Sequence, residues 1–479
     1  MQAGTGSMRS AVYIERRAAV GTLSDVARRR GWIVSNLCFA AFLALILIGV
    51  APFQEWVMTD QTGQGDIINQ ALHLGILFML LFGSGGALTL RQLQPLPLSV
   101  VVLLAYCLLT VTWAIDPMIS LRRLILTSLV IWVLFRCVAD LGYERVLLIM
   151  RWGLIILLIL NFATVLLTPY GVHPALREES TVVGNWRGLM PHKNIAGAAC
   201  AFMIVLEIFD VRRFPKVISW LAIAGALIFL YFTVSKTSQA VLVFGIVCGV
   251  IVRPYSANYR TILGALVLIG TGFALQLSSV YLPVLATVVN DPTSLTGRGA
   301  IWPLLIDYAN QHPWTGAGFG SFWQIGNASP IWRITRSWVA QSSHGHNGYL
   351  DLLVTIGIPG LVLTIAVLMA WPLVRLFLSL SITKPQRSLL FAMLAFCIGH
   401  NLTESSLLNG PSVVEVFLII TIALIFRLAD RGASARNLWS ERRLGGPLAL
   451  AGSGSARGVI GMGVPARQPA MRDRSVEEC

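Results

Sequence analysis

Charge is scarce in this chain. Of 479 residues only 12% are Asp, Glu, Lys or Arg, against 56% from the hydrophobic set, and the mean hydropathy is +0.72. Soluble domains carry roughly 25% charged residues and about 45–50% apolar ones. The deficit excludes a soluble enzyme, a disordered chain and a secreted disulfide scaffold. What remains is an integral membrane protein whose solvent over much of its length is lipid. Cysteine is sparse as well: seven residues form no C-x-x-C pair, and Cys38, Cys107, Cys137, Cys200, Cys248 and Cys397 lie inside apolar runs. They read as small buried hydrophobes, not as a disulfide framework or metal site. Asp-x-Asp pairs are missing too, so no acidic pair is on offer for a divalent cation.

What is present in quantity is apolar runs. About 20 mostly apolar residues are needed to cross the hydrocarbon core. Runs of that kind fall at 32–52, 67–85, 96–114, 119–138, 146–168, 193–210, 216–234, 237–252, 259–281, 347–374, 386–401 and 411–429, which predicts about twelve transmembrane helices. The first follows Arg28, Arg29 and Arg30 as a signal peptide would. It is too long for an h-region and shows no clear cleavage signature, so it is read as a helix.

Lys and Arg outnumber Asp and Glu by 36 to 22, for a formal charge of +14. With a cytoplasmic N-terminus, nine of those cations face the exterior: Arg122, Arg123, Arg177, Arg187, Lys193, Lys236, Arg298, Arg333 and Arg336. The others fall in cytoplasmic loops and tails, as the positive-inside rule requires, and both termini are cytoplasmic. The positive balance therefore reports topology and contact with anionic lipid, and nucleic acid is not an expected partner. The expected organisation is a basic cytoplasmic tail at 1–31, helices 1–9 over 32–281, a large periplasmic loop at 282–346, helices 10–12 over 347–430, and a disordered basic tail at 431–479. A loop of that length is usually functional.

Two constellations carry chemistry. The first is cationic. Arg298 stands in Gly297-Arg298-Gly299 at the entry to a loop helix, Arg187 in Asn185-Trp186-Arg187-Gly188, Lys193 in Pro191-His192-Lys193-Asn194, and Lys236 in Ser235-Lys236-Thr237. Charges gathered at a membrane boundary suit an anion at that depth, and guanidinium groups bind phosphate oxygens bidentately. Snorkelling to the interface is the competing explanation, and it suits Arg122 and Arg123, which flank a helix start.

The second constellation is Ser343-His344-Gly345-His346-Asn347-Gly348-Tyr349-Leu350-Asp351. His346 is placed at the exterior entrance of helix ten, where a neutral imidazole can accept a proton from a hydroxyl. Asn347 and Asp351 are spaced to share a helix face. His-x-His could chelate, but no further ligands stand at a recognisable spacing, so no metal and no cofactor are expected. Trp302 and the other loop aromatics can serve as sugar platforms or settle in an interfacial belt. Gly316-Ala317-Gly318-Phe319-Gly320 follows no strand and reads as tight turns. His73, His312 and His400 stand alone and read as structural.

Arg298 in Gly-Arg-x-x-x-Trp, the large loop, and His346-Asn347 followed after nine residues by Gly357-x-x-Gly360 resemble the O-antigen ligase and Wzy polymerase superfamily. The stretch from Met190-Pro-His-Lys-Asn onward looks closest to ExoQ-type exopolysaccharide polymerases. The resemblance covers roughly 180–420. It implies a C-type membrane glycosyltransferase fold, all-α and polytopic, in the bacterial inner membrane. Its donor would be a polyprenyl-diphosphate-linked oligosaccharide, its acceptor a glycan, with a chain-length regulator of the same pathway as a further partner. His346 matches the family's base and Arg298 its diphosphate-binding loop arginine. Arg187, Lys193, Lys236, His344, Asn347, Glu404 and Trp302 are carried over as substrate-binding positions, with Lys236 standing where relatives often have Arg. The chemistry expected is inverting and metal-independent, fixed cations stabilising the leaving diphosphate. Transfer of the glycan to lipid A–core, as an O-antigen ligase does, is the alternative. A lipid-linked oligosaccharide flippase is the second alternative, although no internal repeat is evident.

Overall fold

The computed structural model describes residues 29–50, 52, 65–83, 90–174, 182–210, 215–262, 264 and 297–444. Most of the predicted ninth helix (263 and 265–281), the start of the large loop at 282–296, Arg177, and both basic tails apart from 29–31 and 431–444 lie outside the described residues. The chain divides into two compact units, Met1–Gly432 and Ala433–Cys479, and the site lies in the first. It is all-helical, with no strand among the described residues beyond isolated bridges at Val172–Trp186 and Ile325–Asn327.

The principal helices are α1 (Arg29–Ile48), α2 (Ile67–Phe82), α3 (Leu98–Thr110), α4 (Pro117–Leu167), α5 (Lys193–Phe209), α6 (Lys216–Thr233), α7 (Lys236–Val252), α8 (Arg298–Gln311), α9 (Gly348–Leu378), α10 (Lys384–His400) and α11 (Val413–Leu444). Local chemistry sets where several begin. Asp66 accepts from the backbone N–H groups of Ile68 and Asn69 at 2.9 and 3.1 Å and so caps α2. Asp116 does the same for Ile119 at 2.9 Å, with Pro117 at the first helical position, where its missing N–H costs nothing. Thr383 and Gln386 form a reciprocal capping box at the head of α10.

Among the described residues four helices are long and apolar enough to cross a membrane: α1, α4, α6 and α9. Helices α2, α3 and α7 are apolar and shorter. Large side chains such as Leu166, Leu167, Trp220, Leu221 and Ile251 are exposed along these helices, a continuous apolar surface that lipid accepts and water does not. The runs at 119–138 and 146–168 fall on the two limbs of α4, which part at Gly142 between them, where the φ of 78° is one that only glycine adopts without strain.

Helix α5 is buried continuously from Ala196 to Glu207, and α10 is almost as enclosed. Both are central helices. Helix α10 runs along α7, where Ser388 Oγ donates to the carbonyl of Gly249 at 2.7 Å, and α5 packs on α6 and α7. Helix α8 packs against α9 around a separate core of Ile301, Leu305, Phe322, Trp323 and Val354. The result that matters for function is geometric. The N-terminal ends of α5, α7, α8 and α9 meet the segment that follows the C-terminus of α10.

Candidate functional site

Glu404, on the segment after α10, is the hub of this meeting point. It is 8% exposed and uses both carboxylate oxygens. Oε1 accepts from Arg298 Nη2 at 2.8 Å and from Asn194 Nδ2 at 2.7 Å. Oε2 lies 3.3 Å from His346 Nδ1. The same Arg298 Nη2 donates to the carbonyl of Thr403 at 2.7 Å, so the guanidinium grips two consecutive residues. Burial pushes the Glu404 carboxyl up, but the His346 hydrogen bond and the charges of His346, His400 and Arg298 outweigh it and hold the group at about 2. Glu404 is therefore an anion at any physiological pH.

His346 stands immediately before Asn347, the N-cap of α9, in a left-handed backbone conformation with φ 52°. A non-glycine residue held there signals a backbone constrained by its surroundings. The constraints are visible. Asn347 Oδ1 accepts from the N–H groups of Tyr349 and Leu350, and its own N–H donates to Ser405 Oγ at 3.0 Å. Trp302 Nε1 donates to the carbonyl of Gly345 at 2.9 Å. Gly345 N–H in turn donates to both carboxylate oxygens of Asp351, which also receives Trp323 Nε1 at 2.8 Å. Asn347 and Asp351 thus fix the turn that carries His346 from its two ends, and Trp302 braces its middle. The side chain of His346 remains 31% exposed.

His344 packs edge-on to His346, ring centroids 4.2 Å apart, and its Nδ1 accepts the His346 N–H at 3.3 Å. Burial first, and then the charge of His346, lower its pKa to about 3, so it is neutral. Two further histidines join the site, His192, to which the sequence reading gave no role within its Pro-His-Lys-Asn string, and His173, which it did not single out. His192 caps α5 by accepting from Asn194 N–H at 3.2 Å, and its ring lies 5.3 Å from that of His173, whose Nε2 accepts from Lys193 N–H at 3.2 Å. Burial lowers both to about 4, helped at His192 by His173 and at His173 by Arg187 and Lys193. Asn194 was visible within the Pro-His-Lys-Asn string; His173 carried no local signal and joins the site only through the chain's fold.

The cations are arranged in depth. Arg298 is mostly buried on Glu404. Lys193 opens α5 beside His173, half-buried. Arg187 is 0% exposed and meets the site as a positive charge behind His173. Lys236 is exposed at the start of α7, next to Thr237, whose hydroxyl accepts from Thr403 at 3.0 Å. Arg123 belongs elsewhere. Its guanidinium donates to the carbonyls of Gly320, Trp323 and Gln324, which anchors the loop after α8 instead of reaching for lipid. The glycines at 316, 318 and 320 all have positive φ, as tight turns require.

Gly357, the first glycine of the Gly-x-x-Gly pair, is non-helical at φ 68°, and a Cβ there would stand 2.5 Å from the Trp314 carbonyl oxygen. The motif therefore seats the segment after α8 against α9, below the His346 turn. Among the described residues no group of three or more His, Cys, Asp or Glu is arranged to hold a metal ion.

What the assembly can do follows from these contacts. An imidazole whose Nδ1 faces a fixed carboxylate presents Nε2 outward as a proton acceptor. Beside it stand Arg298 and the paired carboxylate of Glu404, with Lys193 close by, in a setting half withdrawn from water. A developing anion placed there would be stabilised strongly. No curated protein matches the chain. Residues 221–365, which include most of α6, all of α7 and α8, Arg298 and the His346 turn, match the family model described as O-Antigen ligase. Members of that family are ligases and polymerases of the membrane glycosyltransferase kind, acting on lipid-linked oligosaccharides. Over this segment, about a third of the chain, the sequence is similar to the O-Antigen ligase family.

Proposed function

We propose that the chain polymerises polyprenyl-diphosphate-linked oligosaccharide repeat units into exopolysaccharide at the periplasmic face of the inner membrane. The observation that supports this best is the Glu404 bridge, which ties the imidazole of His346 to the guanidinium of Arg298 through opposite oxygens of one carboxylate. A base and an anion site in contact are what glycosyl transfer from a diphosphate needs.

In the reaction, an acceptor sugar hydroxyl attacks the anomeric carbon of the lipid-linked glycan. Its proton passes to His346 Nε2 as the new C–O bond forms. The bond from the anomeric carbon to diphosphate breaks, and its electron pair leaves with the diphosphate oxygen. Arg298 and Lys193, with Lys236 at the rim and Arg187 as a charge from behind, stabilise that leaving group. A single displacement inverts the anomeric centre. No metal is required, because fixed cations take the role a divalent ion has in other transferases. The twelve-span topology with both termini cytoplasmic is part of the same proposal, as it puts this end of the bundle on the periplasmic side.

The test is a reconstituted assay: purified chain in lipid nanodiscs with a polyprenyl-diphosphate repeat unit. Polymer should form with release of polyprenyl diphosphate, EDTA should not stop it, and His346→Ala should. Full activity of His346→Ala would sink the base assignment, and loss with EDTA restored by Mg²⁺ would overturn the metal-free mechanism. The O-antigen ligase description of the matching family model favours a second reading, transfer to lipid A–core. A deletion strain separates the two. Loss of long polysaccharide with single repeat units remaining supports the polymerase; normal polymer with undecorated lipopolysaccharide supports the ligase.

A further inference from the structure

A cavity of about 220 Å³ lies on the far side of the His344–His346 turn from the cations, between α4, the loop after α8, the start of α9 and the segment 405–411. His344 is part of its wall, and the same imidazole packs on His346. The cavity opens between Gln324 and Asn409, both exposed, and its floor includes Phe319 and Leu352.

Its chemistry is unlike that of the cation cluster. The cation on its wall, Arg123, directs its guanidinium to the three loop carbonyls described above. The carboxylate of Asp351 lines the same space. A phosphate placed here would face an anion and no available positive charge, so the cavity does not suit the donor's diphosphate. It does suit hydroxyl groups. Thr127 lines the cavity at 1% exposure. Ser343 Oγ, also on its wall, is buried without a partner. Buried hydroxyls are nearly always bonded, and one left open beside a polar cavity calls for a ligand or ordered water. Phe319 and Trp323 add aromatic surface for the C–H face of a ring. The volume is below the ~300 Å³ at which pockets for drug-sized ligands begin, which fits one ring and not an oligosaccharide.

We propose that this cavity is the acceptor subsite: it takes one neutral, hydroxyl-bearing sugar ring of the acceptor glycan, and the His344 imidazole is the partition between that ring and the cationic donor side. This rests on the glycosyl-transfer reading and adds to it where each substrate lies. It makes Thr127, Ser343 and the cavity mouth specificity-determining positions that do not touch the donor.

Two experiments on the full chain in nanodiscs test it. In the first, Thr127→Phe fills the cavity from the α4 side. Acceptor KM, with the delipidated repeat-unit oligosaccharide as probe, should rise at least about tenfold while donor KM stays within about twofold. Equal rises in both would overturn the assignment. The second needs no activity and does not depend on that variant folding. Asn409→Cys places a thiol at the mouth, and its labelling by a maleimide is timed over the background of the native cysteines. The oligosaccharide should slow labelling and polyprenyl diphosphate should not; no protection by the oligosaccharide, or protection by polyprenyl diphosphate alone, overturns the proposal. If wild type transfers no glycan from the lipid donor yet the oligosaccharide still protects Cys at 409, the transfer reading fails and the sugar site stands.

Discussion

His346 Nδ1 and Glu404 Oε2 lie 3.3 Å apart, although 57 residues separate them along the chain, and the other oxygen of the same carboxylate holds Arg298 at 2.8 Å. One side chain therefore sets both the orientation of the imidazole and the position of the guanidinium. In the proposed reaction Glu404 would keep the base and the anion site at a fixed distance. That makes it a positioning residue whose removal has a separable signature.

Glu404→Gln keeps the shape and an oxygen acceptor but removes the anion. His346→Ala should lower the transfer rate by about 10²–10⁴, the usual contribution of a general base. Glu404→Gln should lower it less, because the base is kept and only its orientation is loosened. Steady-state rates of wild type and the two variants at one pH check this. A Glu404→Gln rate equal to wild type would show that His346 and Glu404 are not coupled in the working enzyme.

Arg298 is predicted to matter twice, for folding and for donor binding. Its Nη2 serves Thr403 and Glu404 together, a geometry a lysine ammonium cannot reproduce with the same planarity. Arg298→Ala leaves Glu404 buried with Asn194 and His346 as its remaining partners, and breaking a pair this buried costs about 3–5 kcal/mol. Arg298→Lys should recover much of that stability yet raise donor KM by about 10- to 100-fold, the worth of one charge-assisted hydrogen bond. Thermal unfolding in detergent and steady-state kinetics with the lipid donor separate the two effects.

The sequence made some of this legible and not the rest, for physical reasons. His346, Arg298 and Glu404 were readable because a charge in an apolar chain is expensive and so is rarely idle. The apolar runs were readable because helices bury them by period and length alone. The break at Gly142 falls in the gap between the runs at 119–138 and 146–168, so the boundary was readable although the residue that turns the backbone was not. Asn347 and Trp302 came in as substrate-binding positions through the resemblance. Their hydrogen-bonding atoms also hold backbone, Asn347 as the cap of α9 and Trp302 on Gly345, a role that residue type cannot foretell. His173 was not singled out and His192 was given no role, because imidazoles in separate segments become a cluster only when α5 folds against the loop before it.

That cluster predicts an acid-sensitive fold. His173 and His192 at about 4 and His344 at about 3 all lie below the ordinary histidine value, burial being the main cause. The unfolded chain thus binds protons that the folded chain refuses, so stability is full above the ordinary value, near 6.5, and falls as pH drops toward 4. Glu404 acts in the same direction lower down, its contribution disappearing as pH falls from the ordinary carboxylate range through about 2. His192→Asn keeps an acceptor for Asn194 N–H without a titrating ring. It should leave stability at pH 7 within about 1 kcal/mol of wild type and flatten the decline between pH 6.5 and 4. Melting temperatures across that range test it, and an unchanged slope would remove His192 from the account.

The last prediction concerns a charged cluster in which the chemistry has no part. Arg151, in the second limb of α4, is 2% exposed and binds Glu207 Oε1 at 2.8 Å and Asp210 Oδ2 at 3.0 Å near the C-terminus of α5, the end opposite Lys193. Three ionised groups in an apolar bundle invite a functional interpretation, such as a proton relay. The geometry argues for a clamp: Glu207 is 0% exposed, and Arg151 Nη2 also donates to the Asp210 carbonyl, so the guanidinium closes the end of α5 much as a cap would. Arg151→Ala strands Glu207 as a buried anion and should cost about 3–5 kcal/mol, while the double change Arg151→Met with Glu207→Leu removes both charges and should restore most of it. Asp210, partly exposed, can turn to water in that variant. Transfer kinetics of the double variant should match wild type at a temperature where both are folded. A relay predicts the opposite pattern, a folded double variant with no activity, and the comparison of its melting curve with its rate decides between them.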